Sequence, residues 1–122
     1  MLSIRDEFYA DIIVTAIENY GTASWFIVNK YNAGSDDDST DYVRMPFANI
    51  EYHQEGARVK REVNEKTFSP VFTKIRNKKR SERDDWEQRM FEAYIEVDAG
   101  NIATVDALGL LEMSLFGEIV YS

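Results

Sequence analysis

The chain predicts an α+β fold: a small antiparallel three-stranded sheet with about four helices, in the order α-β-β-β-α-α-α. Three observations carry this. Apolar residues recur at helical spacing near the start of the chain and again through its second half. Between those regions lie stretches rich in β-branched and aromatic residues, joined by links too short for a crossover helix. There is no internal repeat and no βαβ alternation, so strands followed by a run of helices argue for a sheet covered on one face. At 122 residues the length fits one domain over 1–122, without room for two independent cores.

The elements follow in order. Ser3 with Asp6 reads as an N-cap pair, and Phe8, Ile12, Ala16 and Tyr20 then recur every four residues, with Ile13 and Ile17 widening the stripe. Gly21 is expected to close this helix in the left-handed conformation. Ser24 to Tyr31 is dense in Trp, Phe, Ile and Val on both alternating faces, which predicts a strand buried on both sides or central in the sheet. A polar loop over 32–41 follows, then strand character from Tyr42 to His53, with a break at Pro46. A turn at Gln54-Glu55-Gly56 returns the chain as a hairpin strand carrying Ala57, Val59 and Val63, with Arg61 as an exception on the apolar face.

The period then becomes helical. Phe68, Val71, Phe72 and Ile75 share one face, with Ser69-Pro70 read as N-cap and first helical residue. Ser81 with Asp84 is read as the start of a helix carrying Trp86, Met90, Tyr94 and Val97, ending near Gly100. Thr104 opens the last helix, with Val105, Leu108, Leu111, Leu115 and Phe116 facing inward and Gly117 ending it. Glu118 to Tyr121 is expected to form a short edge strand or a packed tail.

Composition narrows the function. The chain is 44% hydrophobic and 13% aromatic, which is enough for a packed core and excludes wholesale disorder. Without cysteine, disulfide scaffolds, thiolate metal sites and cysteine nucleophiles are ruled out. Neither a secretory signal nor an apolar run of membrane-spanning length is read, so a cytoplasmic protein without a membrane partner is expected. The formal charge is −8, unevenly spread. Residues 1–57 carry net −7, residues 58–89 net +5 and residues 90–122 net −6. The basic middle either neutralises the acidic ends by surface pairing or forms a contact surface for an acidic partner.

No catalytic constellation is legible. There is no Gly-rich phosphate loop, no Gly-x-Ser-x-Gly elbow and no His-Glu-x-x-His, and the single histidine, His53, is expected to face solvent at a strand end. An enzyme, a cofactor and a metal are therefore not expected. Asp36, Asp37, Asp38 and Asp41 invite a calcium reading, but counting from Asp36 places Asp41 where an EF-hand needs Gly and Phe47 where it needs an acid. The cluster is a solvated acidic loop, and one that imitates a row of phosphates toward a host protein with a basic surface. The alternative set is Lys74, Arg76, Lys78, Lys79, Arg80 and Arg83, a nucleic-acid contact by counterion displacement. Against it, Glu82, Asp84, Asp85 and Glu87 sit beside these cations, and the chain as a whole is acidic. Trp25, Tyr31, Tyr42 and Tyr52 are expected to form an aromatic patch if one sheet face is open, for a partner or for a homodimer.

The segment from Ala10 to Glu18, the step Ser24-Trp25-Phe26 and the ending Leu115-Phe116-Gly117-Glu118-Ile119-Val120-Tyr121 resemble small uncharacterised acidic proteins of bacteriophages, actinobacteria and mobile elements. The likeness spans most of the chain and is patchy in its middle. After the first helix, where that group has a glycine-rich step, this chain keeps only Gly21. The resemblance implies an accessory interaction protein, an anti-defence inhibitor of anti-CRISPR or antirestriction type, and transfers no site residue.

Overall fold

The computed structural model describes residues 3–36 and 42–121. Among them are five helices, α1 (Ile4–Glu18), α2 (Tyr20–Ala23), α3 (Glu65–Asn77), α4 (Asp85–Glu96) and α5 (Thr104–Phe116). The strands are β1 (Phe26–Asn32), β2 (Ser35–Asp36), β3 (Tyr42–Arg44), β4 (Phe47–Gln54) and β5 (Ala57–Val63). The main sheet is three-stranded and antiparallel, in the order β1-β4-β5, so the α-β-β-β-α-α-α arrangement holds. β2 and β3 add a separate two-stranded ribbon before β4. Short 3-10 turns at Arg80–Glu82 and Ala99–Asn101 link the last three helices.

One face of the sheet is apolar and turned inward. Ala48, Ile50 and Tyr52 on β4 alternate with outward Asn49, Glu51 and His53. α1, α3 and α5 supply the other side of the core, through Phe8, Ile12, Ile13, Ile17, Phe68, Phe72, Ile75, Leu110 and Leu111. Each large side chain so buried contributes about 1.5–3 kcal/mol of transfer free energy. α5 is buried on every side from Asp106 to Glu112, because it packs against both α1 and α3. Gly109 permits a close approach there: a Cβ on it would stand 3.4 Å from Ile119 and 3.5 Å from the Trp86 ring.

Several expectations are corrected. β1 is an edge strand with an exposed outer face (Ile27 is 55% exposed), because β4 pairs on both sides and takes the centre. Gly21 lies within the short α2, and the left-handed residue that ends that turn is Ser24 (φ 60°). α3 starts five residues before the Ser69-Pro70 signature. Asn64 caps it by accepting from the Lys66 amide (2.8 Å), while Thr67 accepts from the Asn64 amide (3.0 Å). Pro70 lies inside α3, where its missing N–H removes only the bond to the Lys66 carbonyl in the first turn. α4 is capped by Asp84 with Glu87, not by Ser81, and ends at a left-handed Val97 (φ 52°) ahead of Gly100. Val105 is 60% exposed and does not face inward, unlike Asp106 and Ala107 beside it.

Other expectations hold. Ser3 accepts from the Asp6 amide (3.0 Å), the strand region breaks at Met45-Pro46, and Glu55-Gly56 forms a two-residue hairpin turn with both φ positive. Arg61 does sit opposite Ile50 in the β4–β5 register, yet remains exposed at the sheet edge. Gly117 ends α5 at φ 78°. The segment after it forms no strand, and packs back instead. The Glu112 carboxylate, 0% exposed, accepts from the Val120 amide (2.9 Å) and from that of Tyr121, whose ring stacks on Trp25 at 5.2 Å.

Candidate docking groove between α3 and α5

α3 has two faces. Phe68, Val71, Phe72 and Ile75 fix one face in the core. The residues between them project outward, with Lys66, Pro70, Lys74 and Lys78 recurring every four residues along the helix and beyond its end. The end of α5, with Met113, Ser114 and Gly117, forms the opposite wall. A groove of about 1210 Å³ runs between them, with Glu82 and Glu87 also in its lining.

The charges along this groove are unequal. Lys78 Nζ contacts Glu87 Oε2 at 2.6 Å, and that hydrogen bond lifts the Lys78 ammonium above the ordinary lysine value. The Glu87 carboxylate also accepts from the Asp84 amide (3.2 Å), so Lys78 completes the capping of α4. Lys66 and Lys74 are exposed and take part in no ion pair among the described residues. Three of the lining hydroxyls are already committed. Thr73 donates to the Ser69 carbonyl (3.1 Å), Ser114 to that of Leu110 (2.8 Å) and Thr67 to that of Glu62 (3.4 Å). The strongest uncommitted donors facing the groove are thus the two lysine ammonium groups.

The structure divides the six cations read from the sequence. Lys74 and Lys78 line the groove. Arg76 lies toward α1, near enough to Tyr9 for its charge to oppose in part the upward push that burial gives the Tyr9 hydroxyl. Lys79 and Arg80 are exposed at the 3-10 turn. Arg83 is consumed by the fold: it donates from Nε to the Ile75 carbonyl (2.9 Å) and from Nη2 to that of Arg76 (3.1 Å). Its guanidinium carbon also stands 3.7 Å from the centre of the Phe91 ring. Arg83 therefore adds to the capping of the C-terminal end of α3.

No known protein family, curated protein or solved structure matches this chain.

The acidic set is placed less fully. Asp36 ends β2 and pairs with Tyr42 of β3, whereas Asp37, Asp38 and Asp41 lie outside the described residues. The aromatic patch is not formed as expected. Tyr52 is 2% exposed in the core, between Trp25 and Phe116, with its hydroxyl unpartnered. Trp25 is covered by Tyr121, Tyr31 donates to Glu18 (2.7 Å), and the Tyr42 side chain is outside the described residues. The open sheet face is polar instead, with Asn29, Lys30, Asn49, Glu51, Lys60 and Glu62 around Ile27. His53 is exposed opposite Arg58. No group of three or more metal-ligating side chains occurs among the described residues, and no helix there is long and apolar enough to cross a membrane.

Lys66, Met113 and Ser114 were missed by sequence reasoning. Lys66 had a signal, since it precedes Lys74 by eight residues on one helical stripe. The α5 residues had none, because only tertiary packing brings them beside α3.

Proposed function

We propose that the chain is a non-enzymatic interaction protein whose docking surface is the α3–α5 groove, where Lys66 and Lys74 receive an acidic partner. One observation supports it above others. In a protein of net charge −8, two exposed lysines without an ion pair among the described residues line the same groove. Of the other cations in the basic segment, Arg83, Arg89 and Lys78 are engaged within the fold, while Lys60, Arg61, Arg76, Lys79 and Arg80 are exposed outside this groove. Unspent positive charge flanking an apolar floor draws in a negative partner and orients it.

Poly-L-glutamate is a direct probe. Titrated into isotopically labelled protein, it shifts the amides of Lys66–Lys78 and Met113–Gly117, and the shifts weaken as salt screens the charges. Lys66→Glu with Lys74→Glu removes them. Shifts confined to other surfaces, or none at all, overturn the reading.

A second reading rests on the β2–β3 ribbon. Asp36, the one member of the acidic cluster within the described residues, pairs with Tyr42 in a ribbon separate from the main sheet. There the protein acts as an anti-defence inhibitor, docking Asp36, Asp37, Asp38 and Asp41 on a basic host protein. Replacing all four by Ser then abolishes partner binding and leaves the fold intact; unchanged affinity refutes the loop's role.

A further inference from the structure

We infer that the occupant of the groove is an acidic amphipathic segment of a protein, about three helical turns long, and not a nucleic-acid strand. The inference rests on the reading of the groove as a docking surface and adds the identity of its partner class.

The length follows from α3. From Lys66 to Lys78 the helix axis advances about 18 Å at 1.5 Å per residue. A partner helix of about three turns spans the same wall.

The chemistry follows from the lining. Pro70 is exposed and Met113 half-buried, and both lie in the groove with Lys66 and Lys74. Apolar and cationic side chains thus share the groove, which complements a helix carrying carboxylates beside an apolar stripe. Methionine adapts its shape to such stripes.

A nucleic-acid strand fits the same groove poorly, for three reasons. No aromatic side chain lines it, so bases have no stacking platform. The Thr67, Thr73 and Ser114 hydroxyls have donated their protons to backbone carbonyls, which leaves few hydroxyl donors for a phosphate. Glu82 and Glu87 also line it, where an evenly charged polyanion would meet repulsion while a protein segment can present neutral or basic residues.

Three probes test this on the intact protein, each followed by amide shifts and by fluorescence anisotropy. They are a peptide of about twelve residues with Glu and Leu at helical spacing, its Lys–Leu counterpart, and an oligothymidylate of similar length. The expected result is that the Glu–Leu peptide shifts the amides of Lys66–Lys78 and Met113–Gly117. It should bind at least about tenfold tighter than poly-L-glutamate or the oligonucleotide, a difference of about 1.4 kcal/mol. Lys66→Glu with Lys74→Glu should abolish that binding while thermal unfolding stays unchanged. If the oligonucleotide binds the same amides as tightly, the groove remains an anion site but the inferred partner class is wrong. A Glu–Leu peptide no tighter than poly-L-glutamate, or a Lys–Leu peptide that binds equally well, also overturns the inference. If poly-L-glutamate itself leaves the groove amides unmoved, the docking reading falls with it.

Discussion

Arg83 and Lys74 belong to the same basic run, yet the fold treats them in opposite ways. Arg83 reaches back over the end of α3, donates to the Ile75 carbonyl beside the Lys78 amide and to the Arg76 carbonyl, and sits over the Phe91 ring. Lys74 stands in a groove wall with its ammonium unpaired among the described residues. The difference is one of geometry. A planar guanidinium can fork between two carbonyls and stack on a ring at once, whereas a lysine on the outward face of α3 finds neither. Local charge density in a sequence therefore overstates what is available to a partner. In this protein Arg83, Arg89 and Lys78 are engaged by the fold, and of the exposed cations that remain, Lys66 and Lys74 share one groove.

That contrast can be broken at its strong end first. Arg83→Ala should destabilise the protein by about 2–3 kcal/mol, through two lost charged hydrogen bonds and the ring contact. Urea unfolding monitored by circular dichroism measures it, and Arg83→Lys should recover less than half, because an ammonium cannot fork. A loss below about 0.5 kcal/mol would place Arg83 with the surface cations.

The clamp formed by the C-terminal tail is the next step down. Tyr121→Ala removes the stack on Trp25 and should cost about 0.5–1.5 kcal/mol, with a change in tryptophan emission as the ring is uncovered. An unaltered spectrum would mean that the tail does not shield Trp25 in solution.

Lys78 is intermediate, being half in the groove and half in the α4 cap. Its ammonium is raised by the Glu87 hydrogen bond, so the stability it lends is fully present below the ordinary lysine value. That stability is lost as pH rises through the elevated value. Lys78→Met should thus remove a step from the alkaline limb of the stability profile and leave the neutral region flat.

The smallest effect belongs to the groove. Lys74→Ala should change unfolding free energy by no more than about 0.5 kcal/mol, as expected for an exposed side chain without partners.

The parts of the fold that were legible in the sequence are those decided within a few residues. The Ser3 cap, the α1 stripe, the Glu55-Gly56 turn and the Gly117 ending all depend on neighbours one turn away. The start of α3 was misplaced because Ser69-Pro70 mimics an N-terminus, while the true cap, Asn64 with Thr67, is a less common pairing. The end of α4 was hidden because no propensity selects a left-handed valine. Strand order was not local at all: β1 has the composition of a central strand, but pairing places it at the edge. The candidate site was half legible. The cations of α3 could be read as a row, but not which were already bound, nor that α5 would supply the other wall.

The central claim is that Lys66 and Lys74 serve binding and not folding, and the double variant Lys66→Glu with Lys74→Glu tests it most directly. Its unfolding free energy and its affinity for the Glu–Leu peptide are measured on the same preparation. The predicted result is stability within about 0.5 kcal/mol of the parent with affinity reduced by at least about tenfold. A drop in stability above about 1 kcal/mol, with peptide affinity unchanged, would contradict it.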